Sequence, residues 1–339
     1  MKQKTKKVII FTGGGIGDFI LSTSAISLVK QYDKNIAITL VVCKGYLSLV
    51  DKNLNIDKII TLKHKYNIVE TNKFIRLIYK CFWSIKNFIF FYKHEVCFMF
   101  VDSKFFKLFA KYICRVKTIV DSSIVTYNKN MHCSMQSQLK IRSIFPTNNL
   151  AIPILPDTSY LQLKIKKMIG TIKQYKVALC TMSSCVLRNW NIKYFDELIK
   201  KINNNYDVSF FIMGKSKQEI NNGNYLIDNN KNCDIRNLVG KTTLLETKQL
   251  LSNMDLLISV DTSMVHLAAV SNICTISFYG FSLPSSFMGI NHKAISLSSN
   301  EKCSPCDTKY HNNRFFCKYP KCMYNITPET VFEKVREVL

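Results

Sequence analysis

Short apolar runs alternate with stretches of helical periodicity along almost the whole chain. That alternation predicts α/β units built on parallel sheets. In the first half, strands are expected at 8–11, 38–42, 96–101 and 118–120, with a helix from about 18 to 30. In the second half they are expected at 177–180, 208–213, 256–260 and 275–278, with helices at 192–202 and 244–254. Residues 150–175 carry Pro153, Pro156 and a Lys-rich stretch without a strand core. The expected organisation is a first domain over 1–150, a linker over 151–175 and a second domain over 176–339. No fixed-period repeat is present.

Two junctions stand out from the pattern. The run 255–269 reads as a buried strand, a polar turn at Asp261-Thr262-Ser263, and a helix start. Free backbone N–H groups and two hydroxyls then gather at the positive end of a helix, which suits an anion such as a phosphate. The run 8–18 has the same shape but ends in Gly13-Gly14-Gly15-Ile16-Gly17-Asp18. It fails the dinucleotide-binding spacing, because Asp18 stands where the third glycine belongs. Gly14, Gly15 and Gly17 let another molecule approach the backbone closely. Asp18 repels phosphate. It fits either a helix N-cap or a general base acting on a hydroxyl, and the spacing leaves both open. The two junctions, about 240 residues apart, suggest two halves facing one cleft.

Other candidates are weaker taken singly. Arg188 follows the strand expected at 177–180, where open α/β sheets bind ligands, and an Arg there can pair bidentately with a diphosphate. The alternative is an exposed Arg beside the core residue Trp190. His266, one turn into its helix, fits a packing residue or one that orients the anion turn. Val239-Gly240-Lys241-Thr242-Thr243 imitates the tail of a P-loop, but Ile235 replaces the required glycine and no strand is expected to lead into it. Cys303, Cys306, Cys317 and Cys322 form two close pairs. That spacing favours a structural tetrathiolate site for zinc or iron over disulfides or unrelated thiols.

Composition narrows the partners. The 339 residues are 47% hydrophobic and 21% charged, as in a globular protein, and the net charge is +24. Such a charge fits either lysine-rich solvated faces or a negative partner. The basic start is followed by too few apolar residues for an export signal, and no uncharged run is long enough to span a membrane. A cytoplasmic or peripheral protein is expected, with most of its thirteen cysteines reduced. Residues 73–117 hold ten basic residues, two acidic ones and fourteen aromatics. On one helix, Lys73, Arg76, Lys80, Ser84 and Asn87 would form a polar stripe; Lys104, Lys107, Lys111 and Arg115 would repeat it on a second. Buried helices with solvated stripes account for this pattern. So does a surface for an anionic membrane.

Taken together, 17–25, 188–190, 237–242 and 261–268 resemble glycosyltransferase family nine, the heptosyltransferases of bacterial lipopolysaccharide core synthesis. The resemblance implies a GT-B fold, two Rossmann-like α/β domains facing a central cleft, and inverting sugar transfer with no cofactor for catalysis. It implies Asp18 as general base, and Arg188, where the family usually has Lys, holding the departing diphosphate. It places Asp261, Thr262, Ser263, Met264, His266, Gly240 and Lys241 at the donor, and the Gly14, Gly15 and Gly17 turn at the acceptor. Some members carry a similar four-cysteine segment. The implied partners are a nucleoside diphosphate sugar, ADP-heptose first, and a lipid-linked oligosaccharide acceptor. The implied location is the inner face of the inner membrane. Ser263 replaces the family's glycine, and Asn189 and Asn191 replace a basic residue and a proline, changes that bear on donor choice. The competing readings are a relative that glycosylates a protein adhesin and a non-catalytic basic binding module. No recognised nucleic-acid module is present.

Overall fold

The computed structural model describes residues 6–12, 14–62, 84–92, 94–124, 130–299, 301–306, 317 and 319–339. The chain divides into two compact units, Met1–Pro156 and Asp157–Leu339.

The first unit is built on a five-stranded parallel sheet: β1 (Lys7–Phe11), β2 (Ala37–Cys43), β3 (Lys58–Leu62), β4 (Val96–Met99) and β5 (Thr118–Val120), in the order β3-β2-β1-β4-β5. Central β1 pairs with β2 on one side and β4 on the other, with Ile9 opposite Thr39 and Cys97. Its first helix, Ile16–Tyr32, is buried from Phe19 to Val29. The polar residues within that stretch are satisfied locally. Ser22, Thr23, Ser24 and Ser27 each donate to the carbonyl three residues earlier, at 2.7–2.8 Å. Ser24 also meets Ser134 at 2.7 Å, docking the helix Cys133–Arg142 against it.

The second unit holds a six-stranded parallel sheet: β6 (Tyr175–Cys180), β7 (Val208–Ile212), β8 (Asp234–Asn237), β9 (Leu256–Val260), β10 (Cys274–Tyr279) and β11 (Ala294–Ser298), in the order β11-β10-β9-β6-β7-β8. Val177, Leu179, Phe210, Ile258 and Phe278 form one core with the helix Ile192–Asn205. That helix buries Phe195, Leu198, Ile199 and Ile202, one stripe at helical spacing, and starts at Asn191, whose side chain accepts from Lys193 N–H at 3.0 Å. The C-terminal helix Pro328–Arg336 closes the same core with Val331, Phe332 and Val335.

The structure corrects several expectations. The strands β3, β8 and β11 are additions to the expected set, and all three are sheet edges, where one flank lacks the continuous apolar run of a central strand. The residues expected as a linker include the helix Gln162–Ile169, whose Ile165 and Ile169 are buried. Lys73, Arg76 and Lys80 lie outside the described residues. The remainder of that polar stripe points inward: in the helix at 84–91, Ser84 and Asn87 are buried while Ile85 and Ile89 are about three-quarters exposed (77% and 74%). The second basic helix spans Lys104–Leu108 and continues through a wide turn at Phe109–Ile113. Arg115 is not on it; it adopts a left-handed conformation, φ 53°, after the turn.

Candidate active site

In an open parallel sheet, the strand order reverses at one point. The loops on either side of that point diverge and leave a crevice at the carboxyl ends of the strands. In the first unit the reversal falls between β1 and β4. The loop after β1 carries Gly14 to Asp18; the loop after β4 carries Val101 and Asp102. A cavity of about 180 Å³ opens there, lined by Thr12, Asp18, Val101, Asp102, Ser122 and Lys140 among others.

Asp18 is exposed and stands at the third position of its helix, not at the N-cap. The N-cap is Gly15, whose N–H donates to Asp18 Oδ2 at 2.7 Å. The carboxylate therefore satisfies a helix-start donor while one face stays open. Gly14 is confined by two constraints. Its φ is +122°, and a Cβ there would fall 2.6 Å from Asp18 Oδ2 and 3.0 Å from Val101 Cγ2. Tyr46 hydroxyl donates to the Gly14 carbonyl and fixes the turn from the other side. Lys140, a residue sequence reasoning missed, enters the cavity from the helix Cys133–Arg142. It is buried, and Nζ donates to Met99 O at 2.9 Å. Burial lowers its pKa, with Asp102 and Asp121 acting in the opposite sense. Along the chain it reads as an ordinary surface lysine; only the fold turns it inward. Burial alone would raise the Asp121 carboxyl, but Lys107 and Ser123 hold it down to about 2.

In the second unit the order reverses between β6 and β9. Arg188 comes from the loop after β6 and Asp261 from the turn after β9, so the two sides of the crevice supply one ion pair, Nη1 to Oδ2 at 3.4 Å. Asp261 is buried and also accepts from the Ser282 hydroxyl beyond β10. The Arg188 guanidinium lies 5.3 Å from the Phe281 ring centroid, and its Nε is buried without a hydrogen-bond partner. Trp190 anchors this loop: its ring is buried against Phe195 and Phe278, and Nε1 donates to Ile326 O at 2.7 Å. Thr262 is the N-cap of the helix Ser263–Val270, and no side chain caps that terminus. A helix start without a side-chain cap leaves its first-turn N–H groups, here at Ser263 and Met264, suited to an anion. His266 is buried within the helix.

Gly240 and Lys241 are not brought to this pair. They follow β8, separated from β9 by β6 and β7, or ~14 Å at ordinary strand spacing. Contrary to expectation, a strand does lead into this turn, but its residues Asp234, Ile235, Arg236 and Asn237 are too polar to announce it. Gly240, φ +74°, donates its N–H to Gly214 O at 3.0 Å, while Lys241 is exposed. The motif has a structural use: Asn237 bonds Ile220 O and Asn224 and fills the space over Gly223, where a Cβ would lie 2.4 Å from its Nδ2.

Residues 143–315 match the family model described as glycosyltransferase family 9 (heptosyltransferase), half of the chain. The chain belongs to that family. It is 31% identical over 157 residues to lipooligosaccharide heptosyltransferase 2 of Campylobacter jejuni, covering 45% of this chain and 47% of that protein. The match thus spans about half the length of the curated relatives. The fold is similar to that of E. coli ADP-heptose lps heptosyltransferase II: TM-score 0.72 at 14% identity, with 98% of each chain covered. It is also similar to the iron-containing dodecameric glycosyltransferase TibC from enterotoxigenic E. coli, at TM-score 0.62 and 14% identity, covering all of this chain and 77% of that one. These likenesses, with the two parallel-sheet α/β units, establish the GT-B fold.

The C-terminal cysteine segment meets the second unit's sheet at Gly280. Ser304, between Cys303 and Cys306, donates to Gly280 O at 2.6 Å, and a Cβ on Gly280 would lie 2.5 Å from Cys322 Sγ. Burial raises the Cys322 thiol to about 11, with smaller contributions from Cys306, Cys303 and Cys317. Among the described residues, no three metal-binding side chains converge closely enough to hold an ion. Cys322 is committed to the core against Gly280, whereas Cys303 is exposed.

Arg188→Ala leaves the buried Asp261 without its cation. The expected loss is ~1–3 kcal/mol of stability, from a buried carboxylate that has lost its charged partner. Thermal denaturation of the variant checks this, and an unchanged midpoint would refute the pairing.

Proposed function

We propose that this chain is an inverting glycosyltransferase that moves heptose from ADP-heptose onto a lipooligosaccharide core acceptor. One observation carries the reading. Each unit has its reactive group after the first strand of its sheet, at the reversal of strand order: a carboxylate, Asp18, in one and a guanidinium, Arg188, in the other. The family match and the names of the similar proteins support the choice of sugar, donor and acceptor.

In the proposed reaction the acceptor hydroxyl oxygen attacks the anomeric carbon, and its proton passes to Asp18. The bond from that carbon to the diphosphate breaks, the electron pair leaves with the diphosphate, and the configuration inverts. Negative charge then grows on the leaving oxygens. Arg188, held by Asp261, and the uncapped N–H groups at Ser263 and Met264 meet that charge as preformed donors. The Thr262 and Ser263 hydroxyls serve the donor phosphates and ribose. Asp261, turned into the protein, acts by holding Arg188.

The test combines ligand binding with transfer. ADP should raise the melting midpoint where UDP, GDP and CMP do not, since a ligand at a hundred times its dissociation constant stabilises the fold by ~2.7 kcal/mol. Asp18→Asn should keep that ADP response while transfer to a lipid-linked core acceptor falls ~10²–10⁴-fold. Full activity in that variant would end the base assignment; a response to UDP or GDP alone would replace the donor.

Two further features belong to this reading. The four cysteines hold a structural zinc or iron when metal is bound, a reading supported by the docking of Ser304 and Cys322 at Gly280 and by the iron in the similar TibC. Elemental analysis of freshly purified, reduced protein should find one metal per chain, and finding none would sink the site. The first unit rests on the anionic inner face of the inner membrane. Exposed Ile85, Ile89, Leu108, Tyr112 and Ile113 stand in the same stretch as exposed Lys86, Lys104, Lys111, Arg115 and Lys117, complementary to acidic headgroups. No helix among the described residues is long and apolar enough to cross a membrane. Sedimentation with acidic phospholipid vesicles should carry the protein down at low salt. Equal sedimentation with neutral vesicles, or none with either, would contradict this docking.

A further inference from the structure

Two chain segments supply the ion pair of the second unit, and a third segment holds both of them. Arg188 rides on the loop after β6. Trp190 anchors that loop by donating its Nε1–H to Ile326 O at 2.7 Å. Asp261 is held from beyond β10. There the Ser282 hydroxyl donates to Oδ2, the same oxygen that Arg188 Nη1 meets at 3.4 Å. Two residues before Ser282, the Gly280 carbonyl accepts from the Ser304 hydroxyl at 2.6 Å. Cys322 packs on the same glycine so closely that a Cβ there would lie 2.5 Å from its sulfur. Asn325 donates to Glu301, which joins the stretch around Ser304 to the stretch from Cys322 to Ile326. The cysteine-bearing segment therefore grips the Arg188 loop at Ile326 and the end of β10 at Ser304 and Cys322.

Phe281 follows the gripped glycine. It is buried, and its ring centroid lies 5.3 Å from the Arg188 guanidinium. An aromatic ring attracts a guanidinium and favours certain orientations of its plane. Arg188 needs such guidance. Its one ion pair is long, and its Nε is buried without a hydrogen-bond partner. A single contact at 3.4 Å limits the reach of the group but leaves its plane free to tilt.

We propose that the cysteine-bearing segment aims Arg188 at the donor diphosphate: its grip on Gly280 keeps Phe281 beside the guanidinium and Ser282 on Asp261. The inference rests on Arg188 meeting the diphosphate, and it deepens that reading by naming what sets the affinity there. A guanidinium already oriented loses less freedom when the phosphate arrives. Phe281, Ser282 and Ser304 are positioning residues, which act through Arg188.

The experiment is a calorimetric titration of the full chain with ADP and with AMP, which lacks the outer phosphate. It compares the unmodified protein with Ser304→Ala, Ser304→Thr and Phe281→Leu. Ser304→Ala and Phe281→Leu should weaken ADP binding ~2- to 10-fold and leave AMP binding unchanged. Ser304→Thr keeps the hydroxyl and should bind ADP as the unmodified protein does. Equal weakening of both nucleotides, or weakening of neither, would overturn the aiming role. A second readout needs no nucleotide: the melting midpoints of Ser304→Ala, Arg188→Ala and the double variant. A segment that acts on Arg188 makes the double variant's shift smaller than the two single shifts combined. Additive shifts would overturn the coupling. If the unmodified protein binds neither nucleotide yet the shifts are non-additive, the ADP-sugar reading fails and the hold of this segment on Arg188 stands.

Discussion

Parallel strands cannot be joined by tight hairpins, so each connection must cross over the sheet, and it does so with one hand. A chain that starts in the middle of a sheet, winds outward in one direction and then returns to wind the other way leaves its middle loops pointing apart. Both units of this protein are wound in this manner, β1 to β3 and then β4 to β5 in one, β6 to β8 and then β9 to β11 in the other. The positions of Asp18 and Arg188 follow from that winding. Neither residue needs a specially built pocket, because the sheet supplies the gap and the helix behind each loop supplies the direction.

Within each gap the local devices differ in electrical sense. The first has a carboxylate whose charge is shared with a helix-start N–H, and its turn is closed by Gly14 and Tyr46. The second has a guanidinium tied to a buried carboxylate, with an uncapped helix terminus beside it. Asp261 would repel a phosphate if it faced outward. Buried and bonded to Arg188 and Ser282, it instead limits how far the guanidinium can turn.

The central strands are legible because both of their faces are covered, so a run as short as 256–260 is apolar except at Ser259, and its length and flanking turns mark it as a buried strand. Of the four edge strands only β5 is; Asp234-Ile235-Arg236-Asn237 looks like loop until β7 pairs with it. Some helices that periodicity alone passes over do carry a signal. Ser216 and Glu219 form a capping box ahead of Lys217–Asn229, the same device that opens Leu244–Leu251 with Thr243 and Glu246. Asp18 and Arg188 can be singled out by type and spacing. Lys140 cannot, because its meaning depends on a helix, Cys133–Arg142, that faces inward through contacts more than a hundred residues away in sequence, such as Ser24 with Ser134. For the cysteines, spacing shows the two close pairs but not their different surroundings, with Cys322 in the core and Cys303 exposed.

The bond from Gly15 N–H to Asp18 has a thermodynamic side. A free aspartate samples several rotamers, and orienting it for each turnover would cost entropy at the moment of reaction. Here that freedom is surrendered once, when the helix Ile16–Tyr32 forms its first turn. The orientation of the carboxylate is then a property of the folded state rather than of the bound complex. Any perturbation that frays this helix start would loosen the carboxylate well before the sheet beneath it melts.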